Sequence, residues 1–316
     1  MTGTKVKQVE IDENRAGQRI DNYLINYFSK IPKSRIYRAL RGGEVRVNKR
    51  RVKPVYRLQA GDIVRIPPLK VYSDDQPVTI TQEKIAQLES QILYEDEHLL
   101  ALNKPSGIAA HAGSGDAYGV IEIFRASPVH QPFIELAHRI DKETSGCLLL
   151  AKSRKVLLDI QQSLQSEQSE KRYTCFVKGH WQVKNYCVEH ALQKNQQASN
   201  PVKMEIDQDG RSASTTFSTL EIIADGSLMS AQIHSGRTHQ IRVHAQKEQH
   251  PIAGDKRYGD FAYNRELHKL GLQRMFLHAG YLKIQLEQLS QTYEFRAPLA
   301  KELKQLCKRL KKPLHK

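Results

Sequence analysis

Two short polar segments hold residues that could do chemistry. In AHRIDKETSG, residues 137–146, an apolar strand pattern runs into a polar turn, and Asp141 sits at the strand end among His138, Arg139 and Lys142. A carboxylate at the end of an element, beside cationic groups, stays ionised and can act as nucleophile or base. The same position also suits a turn aspartate that caps backbone N–H groups, with Thr144, Ser145 and Gly146 as ordinary turn residues. Glu143 lies two residues beyond Asp141. A glycosidase-like acid pair needs carboxyls about 5 Å or more apart across a cleft, so that use of the two acids stays open. In GRTHQIRVH, residues 236–244, Arg237, His239, Arg242 and His244 supply donors for a phosphate or a carboxylate. His234, His239 and His244 are spaced five and five, which turns them to different faces of a helix. With no acid or cysteine close in sequence, no metal site is expected.

The third chemical feature is charge. The chain has 49 Lys and Arg against 34 Asp and Glu, a formal net charge of +15. Residues 1–70 carry a net +11 and residues 301–316 a net +6, whereas the body from 71 to 300 is close to neutral at −2. A neutral body with two basic ends suggests a polyanion-binding appendage on something else. The plainer alternative is a solvated cationic face that keeps the chain soluble. Between Lys33 and Arg57 there are ten basic residues and one acid, Glu44. Arg35, Arg38 and Arg41 on a short helix, followed by Lys49, Arg50, Arg51 and Lys53, would line a phosphate backbone. Tyr37 and Tyr56 lie among them and could stack on bases.

The elements that must position these residues follow from periodicity. Ile20, Tyr23, Leu24 and Tyr27 recur at helical spacing. Pro32 and Ser34 open a second helix, SRIYRALRGG, which buries Ile36, Ala39 and Leu40 and stops at Gly42-Gly43. EVRVN and RRVKPVY read as strands around a turn at Asn48-Lys49, and DIVRIP as a third strand. Residues 15–70 therefore make a small α+β module. Residues 71–90, with Ser73, Asp74, Asp75 and Pro77, read as a linker. From 91 to 316 the pattern is mixed and rich in antiparallel strands: a hairpin in ILYEDEHLLALNKPSG, strands FIELAHRI, CLLLAKS and RYTCFVKGHW, and a hairpin with its turn at Asp225-Gly226. Helices are expected at RKVLLDIQQSLQ and, with Pro298 near its first turn, at the C-terminus. The Asn103-Lys104-Pro105-Ser106 tetrad reads as a structural hairpin turn.

Other classes are excluded. Hydrophobic residues make up 39% and charged residues 26% of the chain, enough to bury a core and too much for a disordered tail. No apolar run approaches the roughly 20 residues of a bilayer span, and MTGTKVKQVEIDENR has no signal-like apolar stretch. Cys147, Cys175, Cys187 and Cys307 contain no CxxC pair, which fits a reducing cytoplasm. Gly113, Gly115 and Gly119 do not match GxGxxG, and GxxxxGK[ST] is absent, so no nucleotide cofactor is expected.

The stretch GQRIDNYL…SRIYRALRGGEVRVNKRRVKPVYRLQAGDIVRI resembles the S4 RNA-binding domain. Beyond it, LNKPSGI, HRIDKETSG, KRYTCFVKG, GRTHQIRVH, GDKRYG and FLHAG occur in the order seen in RluA-type pseudouridine synthases, from about residue 92 onward. The resemblance implies an α+β fold, an S4-like domain followed by a largely antiparallel-sheet catalytic domain with flanking helices. It also implies isomerisation of specific uridines of 23S ribosomal RNA, near the peptidyl-transferase centre. By matched motifs it makes Asp141 the catalytic aspartate, Arg242 its guanidinium partner, and Tyr173 the aromatic that stacks on the base. Arg139 becomes the residue that enters the helix where the base has left. Ile241 becomes an apolar wall, with Thr144 and His239 in the same base pocket. Arg35, Arg38, Arg41, Lys49, Arg50, Arg51 and Lys53 become RNA contacts. The partner would be 23S rRNA or a pre-ribosomal particle, bound by a cytoplasmic monomer with no membrane contact, cofactor or metal. Ile140 replaces a frequent leucine and Lys142-Glu143 a usual Arg-Asp, changes that keep size or charge. Two rivals remain: an rRNA-binding factor without catalysis, and an RNA N-glycosidase that uses Asp141 with Glu143.

Overall fold

In a computed structural model the described residues are 6–28, 31, 33–69, 80–112, 118–130, 133–194, 203–207 and 209–311. Pro32, the 71–79 part of the expected linker, Gly113, Gly115 and the basic residues from 312 onward lie outside them. The chain folds as two units, residues 1–79 and 80–316.

In the smaller unit the helical spacing is realised as α1 (Ile20–Tyr27), which buries Ile20, Tyr23 and Leu24, and α2 (Lys33–Arg41), which buries Ile36, Ala39 and Leu40. Gly43, at φ +70°, ends α2. Its N–H reaches the Leu40 carbonyl and the Glu44 N–H reaches that of Ala39. These two bonds satisfy the last carbonyls in the manner that a left-handed glycine allows. Strands β1 (Lys7–Glu10), β2 (Arg46–Val47) and β3 (Ile63–Ile66) form a sheet in the order β1-β3-β2. RRVKPVY is not a strand. Pro54 has no N–H for a ladder, and the segment's carbonyls serve α1 instead: Tyr56 O accepts from Ile20 N and Pro54 O from Asp21 N. Lys7–Glu10 pairs with β3 and extends the module ahead of residue 15.

The larger unit is built on a mixed ten-stranded sheet: β4 (Ile92–Glu95), β5 (Leu99–Lys104), β6 (Glu135–Leu136), β7 (Ser145–Ala151), β8 (Glu170–Lys178), β9 (Tyr186–Glu189), β12 (Ser214–Ile223), β13 (Gly226–Ile233), β14 (Leu277–Leu286) and β15 (Gln291–Arg296). The order is β4-β5-β7-β14-β8-β13-β12-β9, with β15 on β14 and β6 on β7. A small hairpin, β10 (Leu192–Lys194) with β11 (Met204–Ile206), stands apart. Helices α3 (Gln82–Glu89), α4 (Val120–Ala126), α5 (Arg154–Ser163), α6 (Gln240–Lys247), α7 (Phe261–Lys269) and α8 (Lys301–Leu310) complete it. No helix among the described residues is long and apolar enough to cross a membrane.

Three expectations change. The last part of the 71–90 stretch is helical: Thr81 caps α3, whose Ile85 and Leu88 pack with Leu100, Leu102 and Phe124. FIELAHRI is a strand only at Glu135–Leu136; Ala137 N still reaches Leu149 O at 2.9 Å, and the His138 ring then accepts the Leu149 N–H at 3.1 Å. Pro298 precedes α8 rather than joining its first turn.

Every residue of β7 is buried. Cys147, Leu149 and Ala151 face one core with Ile160 and Leu282, and Leu148 and Leu150 face another with Ile123 and Phe124. The strand starts where it runs parallel to β14, Ser145 opposite His278 and Gly146 opposite Ala279. Gly146 has φ +113°, and a Cβ there would stand 2.2 Å from the Ala279 carbonyl oxygen. Gly146→Ala is expected to destabilise the larger unit by about 3 kcal/mol, from overpacking and left-handed strain; a melting temperature equal to that of the unchanged chain in calorimetry would contradict the close approach.

Candidate active site

The turn that carries Asp141 is tied down from behind. Lys104, at the end of β5, is fully buried, and its ammonium donates to the carbonyls of Pro105 (2.9 Å), Ile108 (2.8 Å) and Lys142 (3.1 Å). Ser106 Oγ donates to Glu143 O at 2.6 Å and Gly107 N to Lys142 O at 2.8 Å. The NKPSG segment is therefore no hairpin turn but a clasp on the backbone of residues 142 and 143. Burial, aided by Arg274 and opposed by Asp141, pulls the Lys104 ammonium down to about 7. Three carbonyl acceptors use all its donors, which is how a buried ammonium is tolerated.

Asp141 then faces α6. Arg242 Nη1 donates to Asp141 Oδ2 at 3.1 Å. Two further donors of Arg242 go to a residue absent from the expected set: Nε and Nη2 reach Asp255 Oδ2 and Oδ1 at 2.7 and 2.9 Å. Asp255 is fully buried. Burial alone would push its carboxyl up, but the hydrogen bonds and charge of Arg242 outweigh that and hold it below the ordinary range. The Tyr258 ring lies 4.9 Å from the guanidinium, and its hydroxyl is 2.9 Å from His239 Nδ1. His239 has φ 56° at the start of α6, an uncommon conformation for a residue with a Cβ. It puts Nε2 3.9 Å from Asp141 Oδ2. Burial keeps His239 down to about 4, against the pull of Asp141, so the ring is neutral.

These groups open on a cavity of about 100 Å³ whose walls include Arg139, Asp141, Thr144, Tyr173, Ile233, Arg237, His239, Ile241, Arg242 and Leu277. The expected catalytic and base-pocket residues thus converge on one cavity, with exposed Arg139 among its lining residues. Tyr173 comes from β8 and packs beside the Cys175, Ile233, Ile241 and Leu277 core. Burial, then the Asp141 charge, push its phenol up, so Tyr173 is a neutral ring wall and a poor base. Arg237, read in the sequence as an anion donor, lines the cavity too, as do Leu277 of FLHAG and Ile233, which had no signal in the local sequence. Asp255 and Tyr258 lie in GDKRYG, whose only sequence signal was its place in the motif order. Glu143 is not a wall of the cavity. His244 bonds Thr215 and His234 bonds Thr216, so the histidines do not converge, and no His, Cys, Asp and Glu cluster suited to a metal occurs among the described residues.

In the smaller unit the basic residues divide. Arg35 is held by Glu44 through two bonds of 3.0 and 2.8 Å. Tyr37 and Tyr56 give their hydroxyls to Asp21 and Asp62. Arg38, Arg41, Lys49, Arg50, Arg51 and Lys53 are exposed. Asn48 and Lys49 both have positive φ, 47° and 68°, and Asn48 is anchored to Asp62 and to Ile63 N. That turn presents the 49–53 cations along an open groove lined by Arg50, Arg51, Lys53 and Tyr56.

Comparison with known proteins adds two family matches and a set of relatives. Residues 98–247 match the RNA pseudouridylate synthase family and residues 18–64 the S4 domain. The chain is 44% identical to ribosomal large subunit pseudouridine synthase C of Haemophilus influenzae, over 98% of this chain and 96% of that protein. It is 45% identical to the protein of that name in Escherichia coli strain K12, over 97% of each. Among solved structures, human RNA pseudouridylate synthase domain containing 4 superposes with a TM-score of 0.59 at 22% identity, covering 72% of this chain and 95% of that one. The human domain containing 1 protein gives 0.56 at 24%, covering 66% and 82%. At such identities the likeness is one of fold.

Burial also holds His138 and His244 down to about 4, His138 with help from Lys171. With His239, three buried imidazoles bind fewer protons folded than unfolded between about pH 4 and 6.5. Their contribution to stability is complete above that window and is lost as pH falls through it. Changing His244 to Gln is expected to lower the slope of stability against pH there by up to about 1.4 kcal/mol per unit; urea denaturation from pH 4 to 7 checks this, and an unchanged slope counts against the assignment.

Proposed function

This chain belongs to the RNA pseudouridylate synthase family, and from that premise we propose that it converts uridines of large-subunit ribosomal RNA to pseudouridine. The observation that carries the reading is Asp141 itself: one carboxylate, hydrogen-bonded by one guanidinium, in a cavity walled by Tyr173 and Ile241. We assign the substrate as 23S rRNA near the peptidyl-transferase centre, on the motif resemblance and on the names borne by relatives 44 to 46% identical.

The reaction breaks C1′–N1 and forms C1′–C5 within one nucleotide. The C5 proton leaves, N1 gains one, and nothing is hydrolysed or oxidised. Asp141 is the group that attacks the uridine or removes a ribose proton. Tyr173 holds the detached uracil by stacking so that it turns rather than escapes. Taking the base out of its stack costs a few kcal/mol. Stacking on an aromatic returns about 1–3 kcal/mol, and phosphate contacts from the S4 unit offset the rest. Arg139, on the rim, fills the gap the base leaves. The chemistry asks for no cofactor or metal, and a monomer suffices. A non-catalytic RNA binder has no use for the Asp141, Arg242 and Tyr173 arrangement, and an N-glycosidase pair is disfavoured because Glu143 is off the cavity wall.

Pseudouridine mapping on 23S rRNA incubated with the purified protein tests the reading. Asp141→Asn is expected to lower the rate by on the order of 10⁴-fold, about 5.5 kcal/mol of barrier, with RNA affinity little changed; retained activity refutes the role. Arg50→Ala and Lys53→Ala are each expected to reduce the slope of log affinity against log salt by about 1. Arg35→Ala should change it less, because Glu44 already occupies that guanidinium. Equal effects from all three variants would contradict the division of the basic residues.

A further inference from the structure

We infer that Asp255 is a positioning residue of this reaction: it occupies two donors of Arg242, so that Asp141 receives a single N–H and keeps its second carboxylate oxygen free to react. The inference rests on the role proposed above for Asp141.

An arginine facing a lone carboxylate pairs through two parallel bonds. Here the fork made by Nε and Nη2 is spent on Asp255, at 2.7 and 2.9 Å, and Asp141 Oδ2 meets Nη1 alone at 3.1 Å. Asp141 Oδ1 accepts no hydrogen bond from the described residues. With Asp255 neutralised, the guanidinium would be drawn to close on both Asp141 oxygens, and the reactive lone pairs would be tied up in charge-assisted bonds.

Asp255 is built to resist drifting. Its Oδ1 also accepts the backbone N–H groups of Arg257 (2.8 Å) and Tyr258 (3.0 Å). Its carbonyl accepts from Asn264 Nδ2 at 3.0 Å, and Asn264 Oδ1 takes the Gly254 N–H at 2.7 Å. The same segment sets the second group that faces Asp141. Tyr258 Oη accepts the Met204 N–H at 2.7 Å. The Tyr258 hydroxyl also meets His239 Nδ1 at 2.9 Å, which fixes the ring with Nε2 3.9 Å from Asp141 Oδ2. Asp141 is thus faced by Arg242 from α6, His239 at the start of that helix and Tyr173 from β8, with the Lys104 ammonium behind it close enough to feel its charge. Asp255 and Tyr258 govern the two that hang from α6.

The test compares kcat, KM and RNA affinity for the full chain on a 23S rRNA fragment, with rates normalised to the folded fraction by calorimetry. Asp255→Asn is expected to lower kcat on the order of 100-fold, with KM and affinity within about threefold. A role confined to folding would leave kcat per folded molecule unchanged, and that result overturns the inference. Should Asp255→Asn not fold, Asp255→Glu decides: its extra methylene pushes the guanidinium toward Asp141, so kcat falls while KM holds. A wild-type kcat in that variant overturns the inference equally. If the unchanged chain makes no pseudouridine, or Asp141→Asn still does, it is the parent reading that fails. An active chain, an inactive Asp141→Asn and a fully active Asp255→Asn defeat the Asp255 role alone.

Discussion

A guanidinium buried between two carboxylates governs this site. Arg242 is 7% exposed at its side chain, Asp255 0% and Asp141 20%. Taking such charges out of water costs several kcal/mol for each ion, and attraction repays this only where hydrogen bonding is complete. The trio meets that condition unevenly. Asp255 accepts four hydrogen bonds, and both carboxylate oxygens are used. Asp141 accepts one from a side chain and borders open cavity. The saturated carboxylate anchors the cation, and the unsaturated one is left facing the cavity.

The rest of the larger unit exists, physically, to hold Asp141 where that cation can reach it. Asp141 sits in a turn with no sheet ladder of its own. Its backbone is fixed by the Lys104 clasp behind it and by the entry into β7 after it, where the parallel approach to β14 leaves no room for a side chain at Gly146. Ser145 Oγ bonds His278 Nδ1 and accepts from Arg274 at 2.8 and 2.6 Å, which pins the same junction. Central strands cannot shift without unpairing both neighbours. The turn that carries Asp141 leads into one such strand, β7, so its carboxylate is held in place for the reaction we propose.

The smaller unit shows a different economy of charge. Several of its arginines serve the fold: Arg35 on Glu44, Arg19 on Asp21, Arg65 on the Glu44 carbonyl and Arg57 on that of Gly17. Net charge therefore overstates what can meet a phosphate. The cations left exposed gather on α2 and on the left-handed turn at Asn48-Lys49, the arrangement suited to a backbone-reading surface.

Periodicity and punctuation made much of this legible in advance. The apolar faces of α1 and α2, the Gly42-Gly43 stop, the uninterrupted apolar run of β7 and the hairpin expected at Asp225-Gly226, whose turn falls one residue earlier at Ala224-Asp225, are local consequences of residue type. Asp141, Arg242 and Tyr173 were legible as partners only through the order of their motifs, since nothing in local periodicity brings them together. What local pattern could not disclose was where polar groups find their partners. RRVKPVY alternates like a strand but gives its carbonyls to α1, and the helix at 82–89 is held by apolar residues of β5 and α4 that lie outside its own window. Asp255 and Lys104 look like ordinary loop and turn residues until folding buries them. A buried charge must be matched by whatever lies across the fold, 13 residues away for Asp255 and, for one of the three Lys104 acceptors, 38, and such pairing is a property of the three-dimensional packing.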